Sequence, residues 1–391
     1  MARRPSLPHV ALLIETSRTY ARAILRGVRD YVATHGPWSV YLEARAPDSA
    51  LPRWLPRWRG DGILTRTFGK AMARAILRTG APAVELRATR LDTGFPFVGV
   101  DNRAIGRMTA EHFLERGFRS FGCLEFDAET YFEQRRDDFV RSVQARGHPC
   151  SLFRLAGRRE KPMEWERQQE ALARWVRGLP KPVGLMACTD QLGFWLIDAC
   201  ARGGIRVPEE AAVVGVEDDE SLCSMSRPSL SSVRFNGERT GYVAAEILAR
   251  LMAGRRPPAT PVLVEPLGIV ARQSSDVLAI PDRPVADALR FIRERACSGI
   301  TVDDVVRAVP LSRSALERRM RSAIGRSPKA EIQRVRFAEV CRLLSTTDLP
   351  VSAVAGRTGF NHFQYLCESF KREMGETPGA YRARTRRASD T

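Results

Sequence analysis

The chain has 391 residues, 44% of them hydrophobic, with 62 Lys and Arg against 45 Asp and Glu, a formal net charge of +17. That length holds two or three domains with real cores, and the basic excess suits a polyanionic partner such as nucleic acid. Eight cysteines without a C-x-x-C pair and five histidines never at metal-ligand spacing argue against a disulfide frame or a zinc site, and no run of about twenty apolar residues offers a membrane span.

The amino terminus MARRPSLPHVALLIETSR places two arginines before an apolar run that ends after Ile14, too short for a signal peptide, so the reading is cytoplasmic. From Val10 buried-strand patterns alternate with amphipathic helices. VALLIE (10–15), a helix over 18–34, WSVYLE (38–43), DGILT (61–65), a helix over 70–79, APAVEL (81–86) and FPFVGVD (95–101) form one series. A helix over 103–116 leads to a second: FGCLEF (121–126), helix 131–146, SLFRLA (151–156), helix 164–178, VGLMAC (183–188), helix 191–203 and AAVVGVED (211–218). SSVRF (231–235), a helix over 238–252 and VLVEPLGIVAR (262–272), read as one strand, close the region. Strands separated by single helices imply right-handed βαβ units and parallel sheets. Two lobes of similar size, with a late helix and strand, predict a clamshell over 1–272 that holds a ligand in its cleft.

Residues 273–286 carry two prolines and little periodicity and read as a linker. Beyond them a helix over 287–297 opens a helical domain in which one local design occurs twice. TVDDVVRAVPLSRSALERRMRSAIG is a short helix, a break at Pro310 and a second helix that buries Leu316 and Met320, with Ser312 able to cap it. LPVSAVAGRTGFNHFQYLCESFKREMG repeats the scheme, with a turn at Gly359, a cap near Asn361, and Leu366 and Phe370 inward. Each copy is a helix-turn-helix pattern. Between them 327–345 reads as one helix with Ile332, Phe337, Val340 and Leu344 on its apolar side; at 1.5 Å per residue it is about 28 Å long, close to the ~34 Å between successive major-groove openings. Residues 287–391 hold 20 Lys and Arg against 12 Asp and Glu, so the basic excess is densest where phosphates would be met. The last residues, from 385 on, read as a disordered tail.

The outer faces of the two second helices carry the candidate readers. In the first these are Arg313, Ser314, Glu317, Arg318 and Arg321; in the second, His362, Phe363, Gln364, Glu368 and Lys371. Arginine matches guanine bidentately, glutamine matches adenine, a carboxylate accepts from cytosine, and Phe363 can press a thymine methyl. His362 suits a helix-end or phosphate contact. A solvated surface is the competing reading, but Arg313, Arg318, Arg319 and Arg321 crowd like charge onto one short helix, and a phosphate partner would relieve it.

In the sensor region polar groups recur where ligands of α/β proteins sit, at the carboxyl ends of the strands. Candidates are Thr16 and Ser17 after Glu15, with Tyr20 nearby; Asp101 and Asn102; Thr189 and Asp190; and Glu217 and Asp218. Carboxylates there suit neighbouring sugar hydroxyls, and Tyr131, Phe132, Phe194 and Trp195 could cover the apolar face of a pyranose. Taken singly, the aspartates read first as helix caps; their joint occurrence at matching strand ends favours a cleft. No nucleophile–base pair, Gly-rich phosphate loop or cofactor motif is found, so the reading is a binding protein rather than an enzyme, with no cofactor.

Residues 287–384 resemble the DNA-binding domain of the arabinose-operon regulator family through Gly359-Phe360, Phe370-Lys371, Gly375, Thr377-Pro378 and Tyr381-Arg382. VGVDN (98–102), CTDQLGFWLIDAC (188–200) and the stretch 213–248 are similar to the sugar-sensing core of the lac-repressor family and the periplasmic sugar-binding proteins. The resemblance implies an α/β two-lobed periplasmic-binding-protein-like sensor joined to an all-α tandem helix-turn-helix domain. Lac-repressor relatives place their DNA reader at the amino terminus, and here it is at the other end. The resemblance further implies that Arg135 binds sugar hydroxyls, and that Glu217 stands where relatives carry Asp. It also implies a pentose effector such as xylose, transcriptional activation with RNA polymerase as partner, and a homodimer on duplex operator DNA.

Overall fold

Val10, Ala11, Leu12, Leu13 and Ile14 are all buried, as a strand covered on both faces requires, and they set the centre of the first sheet. The computed structural model describes residues 7–46, 49–88, 91–126, 130–155, 162–277, 280, 282–347, 349–360 and 362–387. The chain divides after Val277 into two units.

In the first lobe β1 (His9–Leu13) lies between β2 (Ser39–Leu42) and β3 (Gly62–Thr65), and β3 pairs with β4 (Ala83–Glu85), all parallel. Phe97 bridges to Glu85 just before β5 (Val98–Val100). Helices α1 (Thr19–His35) and α2 (Lys70–Thr79) cover the sheet, and α3 (Asn102–Glu115) leads into the second lobe. That lobe is a six-stranded sheet built from β6 (Ser120–Phe126), β7 (Cys150–Leu155), β8 (Val183–Ala187), β9 (Ala211–Glu217) and β10 (Ser231–Arg234), with a late strand at one edge. Its helices are α4 (Thr130–Gln144), α5 (Pro162–Gly178), α6 (Asp190–Arg202) and the short α7 (Glu220–Met225), which the sequence pattern did not predict.

The chain then returns to the first lobe as α8 (Gly237–Met252), which packs on α1. The approach is too close for side chains. A Cβ on Gly241 would lie 2.0 Å from the Ile24 carbonyl oxygen, and one on Gly27 1.9 Å from that of Glu238. The predicted single strand over 262–272 is two: β11 (Val262–Val264) pairs with β5 in the first lobe, and β12 (Gly268–Val270) pairs antiparallel with β10 in the second. Pro266, which lacks an N–H, and Gly268 at φ +125° break the run. The second sheet is therefore not purely parallel, and the chain crosses between lobes three times.

The predicted linker is shorter than its span of 273–286. Ser274 and Ser275 are fully buried in the sensor, and the Ser274 hydroxyl donates to the Val213 carbonyl at 2.6 Å while accepting from Ser231 N at 2.8 Å. Helix α9 (Arg283–Arg295) starts four residues before the predicted 287, because Pro284 sits in its first turn, where no N–H is needed, and Asp282 caps it. Residues 278, 279 and 281 lie outside the described residues.

The second unit continues with α10 (Val302–Ala308), α11 (Arg313–Ile324), α12 (Pro328–Thr346), α13 (Val351–Arg357), α14 (Phe363–Met374) and α15 (Pro378–Arg387). It has two small cores sharing one helix. Ile332 of α12 joins Val285, Ile292, Val305, Leu316 and Met320 in the first, and Phe337, Val340 and Leu344 join Val354, Leu366 and Phe370 in the second. Arg336, midway along α12, donates to the carbonyls of Ala296 at 2.8 Å and Ile300 at 2.9 Å and lies over the Phe360 ring. Gly359, at φ +74°, docks its backbone on the Ala296–Gly299 turn, where a Cβ would meet Gly299 N at 2.8 Å. Helix α15 continues to Arg387, into the predicted tail; 388–391 lie outside the described residues, as does the Asn361 cap. Among the described residues no helix is long and apolar enough to cross a membrane.

Candidate functional site

The carboxyl ends of the strands meet around a small solvent-open cavity, about 40 Å3, between the lobes of the sensor. Arg135 reaches it from α4 and is only 3% exposed. Its Nε donates to Asn102 Oδ1 at 2.9 Å and an Nη to the Cys188 carbonyl, while the Tyr131 and Phe235 rings lie 4.9 and 5.2 Å from its guanidinium. Burial pulls the Arg135 pKa down, opposed chiefly by the Glu217 carboxylate. Glu217 ends β9 at φ +117°, followed by Asp218 at φ +53°. Non-glycine residues seldom hold such φ values, and backbone strain of this kind concentrates at binding sites.

The opposite wall belongs to the first lobe. Arg66 follows β3 and donates from Nε to both oxygens of the buried Glu15 at 2.9 Å, with its guanidinium 5.4 Å from the Tyr20 ring. Arg87 follows β4 and stacks 4.0 Å over Phe68. Arg18, Phe97 and Ala88 complete that side. Burial pushes the phenols of Tyr20 and Tyr131 up, so both stay neutral hydrogen-bonding groups.

Of the sensor residues singled out by sequence, Tyr20, Asn102, Tyr131, Arg135 and Glu217 line the cavity. Six others do not. The Thr16 hydroxyl accepts from Arg45 N at 3.3 Å and the Ser17 carbonyl accepts from Arg22 at 3.1 Å. Asp101 caps α3, taking the N–H groups of Arg103 and Ala104 at 2.9 Å each, and Thr189 caps α6 through Leu192 N. Asp218 is held by Arg234 and Arg272, each at 2.7 Å. Asp190 is 1% exposed and accepts from Ser232 Oγ at 2.5 Å and Asp219 N at 2.7 Å, joining α6, β10 and α7. The three aspartates are each held by partners of their own, Asp101 by backbone N–H groups, Asp218 by two arginines and Asp190 by a hydroxyl and a backbone N–H, whereas Glu217 faces the cavity. Of the aromatic residues, Phe132 and Trp195 instead pack around Phe126.

Arg66, Arg87 and Phe235 are not among the sequence candidates. The strand-end position that selects carboxylates also holds two arginines, directly after DGILT and APAVEL. Phe235 ends SSVRF and carried no signal of its own.

In the second unit the outer faces of α11 and α14 are exposed as predicted: Arg313, Ser314, Arg318 and Arg321 on one, His362, Phe363, Gln364, Glu368 and Lys371 on the other. Glu317, half-buried, pairs with Arg313 at 3.6 Å, and Arg313 also reaches Asp303 at 3.0 Å. Arg318 and Arg321 have no ion-pair partner among the described residues. Phe363 and Tyr365 are 44% and 47% exposed at the start of α14, side by side with Gln364. His362 is the N-cap of α14 but makes no side-chain cap bond. Two exposed helix faces, one arginine-rich and one aromatic, can meet phosphates and base edges.

A model of the periplasmic binding protein-like domain matches residues 110–275, and a model of the helix-turn-helix domain matches 305–384. The Xylose operon regulatory protein of Escherichia coli K12 is 29% identical over 383 residues, spanning 95% of this chain and 96% of its own. That of Haemophilus influenzae is 28% identical over 95% and 97%. The solved structure of a xylose-binding transcription activator superposes with a TM-score of 0.80 at 27% identity, covering 97% of this chain and 98% of that one.

Proposed function

We propose, from its likeness over nearly its whole length to the Xylose operon regulatory protein and to the xylose-binding transcription activator, that the chain is a cytoplasmic, sugar-responsive activator of sugar-utilisation genes that joins a periplasmic binding protein-like domain to a carboxyl-terminal helix-turn-helix domain. A small polyhydroxylated effector, for which xylose is the first compound to test, enters the cavity between the lobes and favours the closed sensor. The observation that carries this reading is the cavity wall itself: Arg135, Asn102 and Glu217 offer both donors and a carboxylate acceptor, with Tyr20, Tyr131 and Phe235 as apolar faces. Hydroxyls need the first set and ring C–H groups the second.

Ligand binding shifts the sensor between states only by its differential affinity for them, and a pair of sensors would pass that shift to the DNA-binding units. The unit that binds duplex operator DNA uses α11 and α14, and an activator's further partner is RNA polymerase. The test is a fluorescence-anisotropy titration of operator DNA with and without effector, beside the thermal shift of the chain alone. An effector that stabilises the chain and changes operator affinity or spacing preference supports the reading. A sensor that ignores every sugar-class compound while DNA binding persists reduces the lobes to a ligand-free dimerisation scaffold.

A further inference from the structure

We propose that Phe97 sets the size of the effector: its ring packs against the C5 methylene of a five-carbon pyranose and excludes the hydroxymethyl group that a six-carbon sugar carries there. The inference deepens the effector-site reading and rests on it. It is carried by a glycine that has no backbone reason to be one. Gly99 lies inside β5, paired with Leu263 of β11, and its φ is not positive, so its backbone suits any residue. What it lacks is space. A Cβ there would lie 2.3 Å from Phe97 Cζ and 3.0 and 3.1 Å from the two Cε atoms. Two residues apart on an extended segment, Phe97 and Gly99 share one side of the strand, and both line the cavity. The tip of the Phe97 ring fills the place of the missing side chain.

The ring is held at its root. Phe97 bridges to Glu85 on one side, and on the other its carbonyl accepts from Val262 N at 2.9 Å. With its backbone fixed between β4 and β11, only side-chain torsions remain to move the ring. In a cavity of about 40 Å3 its tip is a large part of the boundary. Two of the cations on the same wall are turned elsewhere, Arg66 to Glu15 and Arg87 over Phe68. A hydroxymethyl group directed at the ring would have to displace it, and its hydroxyl would meet an apolar surface without a partner. The C5 of a xylopyranose carries only hydrogens, which suit the aromatic face, and its hydroxyls are left for Asn102, Arg135 and Glu217.

Isothermal titration calorimetry of the full chain with D-xylose and D-glucose, pyranoses that differ only by the hydroxymethyl group on C5, tests this. The parent should bind xylose about tenfold or more tighter, the penalty expected of a buried hydroxyl left without a partner. Phe97→Ala opens the space above Gly99 and should bring the two affinities toward equality. Phe97→Leu keeps an apolar side chain on the strand but no ring; it should shift the ratio in the same direction, and it replaces the alanine variant if melting curves show that variant unfolded. Gly99→Ala presses on a ring tip that can swing rather than on backbone. It should weaken xylose several-fold in the parent and by clearly less in the Phe97→Ala background, because the ring is the route of its effect. Equal binding of the two sugars by the parent, an unchanged ratio in a folded Phe97 variant, or independent effects of the two substitutions overturns the inference and leaves the sugar-sensor reading standing. Binding of neither sugar by a chain that still binds DNA removes the inference together with the xylose reading.

Discussion

Replacing Asp190 by Asn separates a buried scaffold from a ligand contact. Asp190 is sealed beneath β9 and β10; its pKa is pushed from 3.8 to about 7, first by burial and then, against the Ser232 hydrogen bond, by the Glu217 carboxylate. An acid whose folded-state value lies above its unfolded one holds its proton more tightly when folded. Its contribution to stability is therefore complete below about pH 4 and is lost as pH climbs through about 7. A shift of about 3 units at 1.36 kcal/mol each is on the order of 4 kcal/mol. Asn mimics the protonated acid: its oxygen can keep the Asp219 N–H, and its amide can donate to Ser232 Oγ, which already accepts from Asp218 N at 3.0 Å. Urea unfolding of parent and variant at about pH 4.5 and 7.5 should show the variant gaining a few kcal/mol relative to the parent at the higher pH. The ligand-induced melting shift should survive, since Asp190 does not line the cavity. A stability difference that ignores pH, or loss of the ligand response in a folded variant, refutes the scaffold assignment and returns Asp190 to the effector site.

Gly241→Ala should destabilise the sensor by about 3 kcal/mol or more, because the added carbon strikes backbone rather than a movable side chain; Gly69→Ala, where nothing lies within 4 Å, is the control in the same denaturant melts. Arg318→Ala should cost about 1–3 kcal/mol of operator affinity and relax preference at one base position, read by anisotropy against a panel of single-base operator variants; an unchanged preference removes Arg318 from the readers. A fragment starting at residue 278 should fold and bind duplex DNA with steep salt dependence. One starting at 287 lacks Ile280, the Asp282 cap and the fully buried Val285, and should be less stable by about 2–4 kcal/mol in urea.

The periodic parts of this chain were legible. Apolar strands such as VALLI and the inward residues of α12 follow from burial alone, and the tandem turns follow from Pro310 and Gly359. Boundaries set by single residues were less so: Pro284 reads as a linker signal yet starts a helix, and the 262–272 run conceals a passage from one lobe to the other at Pro266. In the cleft, residue type and position point to Asn102, Tyr131, Glu217 and Tyr20, and the resemblance to Arg135, whereas the aspartates singled out beside them do not line the cavity. Whether a strand-end carboxylate faces the cavity depends on which donors the fold brings to it: backbone N–H groups two and three residues on for Asp101, but Ser232 and Asp219 for Asp190 and Arg234 and Arg272 for Asp218, all distant in sequence or on side chains. Those distances belong to the folded chain.

The junction between the two reading heads has a mechanical consequence for DNA. With Arg336 hydrogen-bonded across to the Ala296 and Ile300 carbonyls, and Gly359 seated on Gly299, the heads cannot slide or hinge without breaking backbone contacts. A stiff calliper leaves the adjustment to the duplex. If the grooves of relaxed B-DNA do not meet both helices at once, the double helix must bend, at a cost of a few kcal/mol that depends on the sequence being bent. Base steps that touch no side chain, between the two contacted grooves, would then carry part of the operator preference, with easily kinked pyrimidine–purine steps favoured there over stiff A-tracts.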